Sequence, residues 1–95
     1  MNEQKKKITF IINPISGTQK KNNVPDMIEA ILDKSRFEFN IIFTEYAGHA
    51  AEIARQCVDD HADICVAVGG DGTVNEVARS LVHTETALGI VPSGS

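Results

Sequence analysis

The chain has 95 residues, 42% of them hydrophobic and 23% charged, with a formal net charge of −4. These values are typical of one small globular domain, and they exclude disordered and low-complexity classes. No apolar run approaches the roughly 20 residues of a membrane-spanning helix, and the charged start lacks the apolar core of a secretory signal peptide. We therefore expect a cytoplasmic protein.

The first half of the chain predicts a strand, a helix and a second strand. Residues 8–12 form a short β-branched run that ends in the turn formers of residues 13–18. Apolar residues recur at helical spacing over residues 24–34, and Asn23 can cap that helix. Residues 37–43 have strand periodicity, with Phe37, Phe39, Ile41 and Phe43 on one face, which indicates a half-buried strand.

The second half continues the alternation. A helix begins near Gly48-His49, and its apolar stripe comprises Ala50, Ile53, Ala54, Cys57 and Val58. Residues 64–68 are continuously apolar, as in a strand that is covered on both faces. After Gly69-Gly70-Asp71-Gly72-Thr73, a third helix is predicted from Val74, Val77, Ala78, Leu81 and Val82, and residues 88–91 form a fourth strand. The order βαβαβαβ predicts an α/β fold, a parallel sheet with helices on both faces.

The two cysteines, Cys57 and Cys65, fit no metal or redox spacing. Each lies in an apolar segment, so we expect two reduced thiols in the core.

Charge is distributed unevenly along the chain. Residues 1–36 contain seven Lys or Arg and four Asp or Glu, whereas residues 37–95 contain two and nine. The basic part could serve an anionic ligand or a membrane surface, although Lys5-Lys6-Lys7 alone is more typical of a solvated tail. With one Tyr and no Trp, no pairing of aromatic and basic residues indicates a nucleic-acid partner.

The predicted topology places the functional loops at one edge of the sheet. In open parallel sheets, ligands bind outside the carboxyl ends of the strands. The loops there are residues 13–23, 44–49, 69–73 and 92–95, and three of them are rich in Gly, Ser, Thr and Asn.

The sharpest signal is Gly69-Gly70-Asp71-Gly72-Thr73, which links a buried strand to a helix. Glycines there let backbone N–H groups approach an oxyanion, and a helix N-terminus adds partial positive charge. Asp71 would suit a hydroxyl or a Mg²⁺ ion that bridges phosphates. The alternative is a tight turn in which Asp71 caps the helix.

The other loops at this edge carry weaker signals. Residues 13–17 form either a simple turn or a second polar wall of the binding site. In the second case Ser16, Gly17 and the nearby Lys20-Lys21 could reach phosphate oxygens. Taken alone, His49 is more typical of a helix start or a surface histidine than of a catalyst. The sequence contains no legible Ser-His-Asp or Cys-His arrangement and no His/Cys cluster with metal spacing.

These motifs resemble those of the diacylglycerol kinase catalytic domain, a family that includes sphingosine kinases, ceramide kinases and bacterial lipid kinases. The residues that carry the resemblance are Asn13-Pro14-Ile15-Ser16-Gly17, Thr44-Glu45-Tyr46-Ala47-Gly48-His49-Ala50, Gly69-Gly70-Asp71-Gly72-Thr73-Val74-Asn75-Glu76-Val77 and Gly89-Ile90-Val91-Pro92-Ser93-Gly94-Ser95. They occur in the family's order and cover nearly the whole chain.

The resemblance implies transfer of the γ-phosphoryl group of ATP, with Mg²⁺, to a lipid hydroxyl such as that of diacylglycerol or a sphingoid base. Carried over by motif, the residues that would line the nucleotide site are Asn13, Pro14, Ile15, Ser16, Gly17, Thr44, Gly70, Asp71, Gly72, Thr73, Val74, Asn75, Glu76 and Ser95. Asp71 would sit at the phosphate and Mg²⁺ region as the catalytic candidate.

The resemblance also implies a domain organisation. Residues 1–95 would be the N-terminal nucleotide-binding domain, truncated before a C-terminal β-rich domain that holds the general base and the lipid surface. We therefore expect these residues alone to bind ATP weakly and to phosphorylate no lipid. The intact protein would contact the inner face of the membrane peripherally. Its oligomeric state is undecided at this point, and a homodimer is one alternative.

Two alternatives remain at this point. One is an NAD kinase-type enzyme, since such enzymes share the GGDGT loop, although Asn75-Glu76 and residues 13–17 argue against it. The other is a non-enzymatic α/β nucleotide-binding or flavodoxin-like module. The sequence does not specify which lipid alcohol would be the acceptor.

Overall fold

Four parallel strands alternate with three helices in the described part of the chain, residues 5–14 and 24–92 of a computed structural model. The strands are β1 (Lys6–Ile12), β2 (Phe37–Phe43), β3 (Ile64–Gly69) and β4 (Ala87–Pro92). The helices are α1 (Val24–Ile31), α2 (His49–Asp59) and α3 (Asp71–Leu81). The predicted α/β fold and its order of elements are confirmed.

The sheet has the strand order β2-β1-β3-β4, and every pairing is parallel. In the register, Ile8 pairs with Phe39 of β2 on one side and with Ile64 of β3 on the other. The chain first adds β2 beside β1 and then returns to the opposite side of β1 to place β3. Such a reversal leaves a crevice at the carboxyl ends of the two central strands.

Helices cover both faces of the sheet, as predicted. On one face, α2 and α3 pack over Ile11, Cys65 and Ala67. On the other, Ile28 and Leu32 pack over the cluster that contains Phe10 and Val68. Burial on both faces explains why β3 reads as an unbroken apolar run.

Helix α1 is shorter and less buried than the sequence predicted. It ends at Ile31 and not at Lys34, because the Asp33 carboxylate accepts hydrogen bonds from the Ser35 N–H at 3.0 Å and from the Ser35 hydroxyl at 2.6 Å. Such a local acceptor competes with continued helix. Ile31, which was expected on the apolar face, is 77% exposed, and Asn23 lies outside the described residues.

Helix α3 begins earlier than predicted and excludes its last predicted apolar residue. Its first residue is Asp71, so Asp71, Gly72 and Thr73 form a helical turn and not a loop. Val82 follows the helix in an extended conformation and is 56% exposed, so its assignment to the buried stripe was wrong.

Both cysteines are free and buried, which confirms the prediction of core thiols. The hydrogen bond with Cys57, together with burial, raises the pKa of the Cys65 thiol above its ordinary value, so Cys65 is protonated at neutral pH.

No helix among residues 5–14 and 24–92 combines the length and the apolar composition needed to cross a membrane.

Candidate functional site

The carboxyl ends of the three strands β2, β1 and β3 are joined by backbone hydrogen bonds that continue the sheet. The Asn13 N–H donates to the carbonyl oxygen of Val68 at 3.0 Å, and the Thr44 N–H donates to that of Ile12 at 2.8 Å. The polar residues that follow these strands therefore lie side by side, as the topology predicted.

A cleft of about 610 Å³ opens at this edge. Its lining comes from the residues that follow β1 and β2 and from the N-terminal parts of α2 and α3. It consists of Asn13, Pro14, Thr44, Glu45, Tyr46, Ala47, Ala50, Gly72, Thr73 and Glu76. The volume lies within the range of about 300–1,000 Å³ that is usual for small-molecule sites.

The N-terminus of α3 forms one wall of this cleft. Gly70 is the N-cap residue and Asp71 is the first residue of the helix, so the alternative in which Asp71 is the N-cap is not observed. The Val74 N–H donates to the Gly70 carbonyl oxygen at 3.1 Å and closes the first helical turn. The N–H groups of Asp71, Gly72 and Thr73 precede that bond and have no partner within the helix, so they add to its positive end.

Two glycines of this segment differ in what surrounds them. A Cβ atom at Gly69 would lie 3.0 Å from Thr73 Oγ1 and 3.1 Å from Thr73 Cβ, so packing requires glycine there. A Cβ atom at Gly72 would meet no atom within 4 Å, although Gly72 lines the cleft. The fold therefore does not explain Gly72, whereas close approach of a ligand to the backbone would.

Asn13 connects the end of β1 to the first turn of α3. Its Nδ2 donates to Thr73 Oγ1 at 3.3 Å, and Thr73 is only 6% exposed. Because Gly69 leaves room for Thr73, this bond fixes the spacing between the central strands and the N-terminus of α3.

The opposite wall carries a connected set of side chains that begins in the loop after β2. The Tyr46 ring stacks on the His49 ring, with centroids 4.3 Å apart and planes at 15°. The Tyr46 hydroxyl donates to Glu52 Oε1 at 2.7 Å, and the Glu45 N–H donates to His49 Nδ1 at 2.9 Å. His49 is the first residue of α2, as its interpretation as a helix-start histidine required.

The described lining of the cleft is acidic. Glu45 and Glu76 contribute carboxylates, and no Lys or Arg within residues 5–14 or 24–92 lines the cleft. That part of the chain also contains no group of three or more His, Cys, Asp or Glu side chains that could hold a metal ion. In proteins, Mg²⁺ is commonly bound by one or two carboxylates together with the phosphates of a substrate.

The cleft brings together six of the predicted site residues, namely Asn13, Pro14, Thr44, Gly72, Thr73 and Glu76. Asp71 and Asn75 are exposed but do not line it, and Val74 packs its side chain against the core. Four further predictions, Ile15, Ser16, Gly17 and Ser95, lie outside the described residues, as do Lys20 and Lys21.

Sequence reasoning overlooked four lining residues, Glu45, Tyr46, Ala47 and Ala50, as candidates in their own right. For Glu45, Tyr46 and Ala47, the position directly after β2 was the available signal, whereas Ala50 belongs to the first turn of α2. The rule that ligands bind at strand carboxyl ends applies to every residue of that loop.

Comparison with known proteins identifies relatives over almost the entire chain. Residues 7–95 match the model of the diacylglycerol kinase catalytic domain. A diacylglycerol kinase of Staphylococcus saprophyticus is 35% identical over 94 residues, which is 96% of this chain, and one of Staphylococcus aureus is 33% identical over the same length.

The fold is also shared with a solved structure. A crystal structure of a diacylglycerol kinase from Bacillus anthracis superimposes with a TM-score of 0.74 over 100% of this chain and 33% of that chain, at 24% identity. The chain spans 30% of the length of the staphylococcal relatives.

Proposed function

Because the chain belongs to the diacylglycerol kinase catalytic domain family, we propose that it binds ATP with Mg²⁺ and forms the nucleotide-binding part of a lipid kinase. The observation that carries the proposal is the first turn of α3. This turn follows β3 and lies beside the crevice that forms where the strand order reverses between β1 and β3. Its Gly72 has free space where a side chain would stand.

The triphosphate would bind at the N-terminus of α3. The N–H groups of Asp71, Gly72 and Thr73 are available as hydrogen-bond donors, and Gly72 has no side chain that would cover them. The helix dipole favours negative charge at that end. Asn13 holds Thr73 in place through its 3.3 Å bond, so the donors are oriented before a ligand arrives.

The acidic lining explains why a bare triphosphate would be a poor ligand. The carboxylates of Glu45 and Glu76 would repel it unless a cation lies between them and the phosphates. When bound, Mg²⁺ neutralises phosphate charge and fixes the geometry of the phosphoryl group. Glu76 lines the cleft and Asp71 is the exposed first residue of α3, so these two carboxylates would be available to hold the ion.

Phosphoryl transfer also needs a group that accepts the proton of the acceptor hydroxyl. The proposal assigns this general base and the lipid site to a second domain. Its support is that the staphylococcal relatives are about three times longer than the aligned region. A diacylglycerol-like acceptor in turn requires peripheral contact of the intact protein with the cytoplasmic face of a membrane. A homodimer stays a prediction.

Transfer of label from γ-labelled ATP tests the proposal. The product of the complete reading frame that contains this chain is offered diacylglycerol, sphingosine and NAD separately, with Mg²⁺. We expect label in a lipid and a loss of about 100-fold or more in the Asp71→Ala variant, the magnitude typical for removal of one charge-stabilising group. The matched control is Asp59→Ala, which removes an exposed carboxylate from the other end of α2 and should keep full activity.

The possible results separate the alternatives. Label in NAD alone would overturn the lipid kinase in favour of a dinucleotide kinase. Equal activity of Asp71→Ala and Asp59→Ala would contradict the role of Asp71. Absence of label, together with no rise in melting temperature when Mg²⁺ and ATP are added, would contradict the nucleotide site itself.

A further inference from the structure

We propose that Tyr46 is the stacking platform for the nucleobase, an inference that rests on the proposed function. This side chain would make the site select nucleotides over polyphosphates that lack a nucleoside. Tyr46 lines the same cleft as Gly72 and Thr73 but lies on the opposite wall, in the loop after β2. A ligand whose phosphates lie at α3 would therefore extend its remaining part toward Tyr46.

The ring of Tyr46 is accessible although it is held in place. His49 covers one of its faces at a centroid distance of 4.3 Å, and the residue is still 55% exposed. An aromatic ring has two faces, and the stacking on His49 occupies only one of them. Every nucleobase has a flat π-surface that can stack on such a ring.

Three contacts fix the orientation of the platform. The Tyr46 hydroxyl is tied to Glu52 at 2.7 Å, the ring rests on His49, and the His49 ring is fixed by the 2.9 Å bond from the Glu45 N–H. A ring that is already immobilised loses little conformational freedom when a base binds, so more of the stacking energy appears as affinity.

The surroundings of Tyr46 also suit a base better than a phosphate. Ala47 and Ala50 form the neighbouring part of the wall, and Glu45 adds negative charge. Small apolar side chains leave room for a planar ring, whereas the carboxylate would repel phosphate oxygens.

Calorimetric titration of the chain tests the proposal with two ligands, Mg²⁺-ATP and Mg²⁺-tripolyphosphate. We expect Tyr46→Ala to weaken ATP binding by about 5- to 150-fold, the range measured when a stacking aromatic is removed. Tripolyphosphate binding should not change, because that ligand has no base. Tyr46→Phe keeps the ring and loses only the hydroxyl, so it should bind ATP within a few-fold of the wild-type chain.

Fluorescence gives a second measurement that needs no variant. Tyr46 is the single tyrosine, and the chain has no tryptophan, so its emission reports on this ring alone. Stacking predicts that Mg²⁺-ATP quenches the emission more strongly than Mg²⁺-tripolyphosphate at equal saturation.

Each result decides something different. If Tyr46→Ala binds ATP as tightly as the wild type, or if both ligands quench equally, Tyr46 is not the platform while the nucleotide site stands. If the wild-type chain binds neither ligand, the proposed function fails and the platform fails with it. Melting curves of both variants establish that they are folded before the comparison is made.

Discussion

At the scale of single residues, the hydrogen bond from Tyr46 to Glu52 gives a pH-dependent signature. The bond stabilises the protonated phenol and, with the nearby carboxylates, raises the pKa of Tyr46 above its ordinary value of 10.0. Because Tyr46 is the only tyrosine, ultraviolet absorbance of phenolate titrates this one group. We expect a midpoint above 10.0 in the folded chain and a lower midpoint in Glu52→Gln, which removes the charged acceptor.

The direction of the linked stability change follows from the raised pKa. The contribution of this bond to the free energy of unfolding is fully present below the pKa of the unfolded chain, and it is lost as the pH rises through the folded pKa. The contribution is small because Tyr46 and Glu52 are at the surface. The same midpoint in both proteins would mean that the hydrogen bond does not form in solution.

At the scale of elements, the junction between β3 and α3 permits a matched comparison of two glycines. Gly69→Ala places a Cβ atom 3.0 Å from Thr73 Oγ1, and we expect a destabilisation of about 1–3 kcal/mol, as for other overpacked sites. Gly72→Ala has open space in a helical turn. Its free energy of unfolding should equal that of the wild type or exceed it by up to about 1 kcal/mol. Urea denaturation measures both.

The same two variants separate packing from ligand binding. Under the proposed function, Gly72→Ala should bind Mg²⁺-ATP more weakly although it is at least as stable, since its new methyl group occupies space in the cleft. A Gly72→Ala chain that is both stable and fully able to bind would contradict the role of Gly72. A Gly69→Ala chain as stable as the wild type would contradict the tight junction.

Regular elements could be predicted from the sequence where one physical pattern dominates. Strand β2 has the predicted bounds, Phe37–Phe43, because Phe37, Phe39 and Ile41 recur at every second position and pack on one face. Phe43, which was expected on the same face, is 37% exposed. The start of α3 could not be placed, since Gly70-Asp71-Gly72 has low helix propensity and the helix there depends on tertiary packing of Val77 and Leu81.

The candidate site was predictable to a similar extent. Topology alone places Asn13, Thr44 and the first turn of α3 at one edge, because parallel strands share a direction. The topology also places the loop that contains Tyr46 at this edge, but the role of its side chain was not predicted, since an aromatic residue in a loop follows no periodic pattern. Its stacking on His49 depends on how the loop enters α2 through Gly48, which has a positive φ of 87°.

At the scale of the whole molecule, the edge of the sheet at the carboxyl ends of the strands lies opposite the edge at their amino ends, and the two edges differ in what they contain. Three strand ends and the N-termini of α2 and α3 meet at the edge that holds the cleft. The opposite edge is closed by Asp63, whose carboxylate accepts from the Lys7 N–H at 2.8 Å and whose carbonyl oxygen accepts from the Ala87 N–H at 2.9 Å. A ligand bound as proposed should therefore perturb one edge only.

A titration of the isotopically labelled chain with Mg²⁺-ATP, followed by amide nuclear magnetic resonance, tests this central claim most directly. The chain, of 10.3 kDa, is well suited to the method. The account predicts that the largest shifts occur at Asn13, Thr44, Gly72 and Thr73, while Asp63 and Ala87 stay unchanged. Shifts centred on the Asp63 edge, or none at millimolar ATP with Mg²⁺ present, would contradict it.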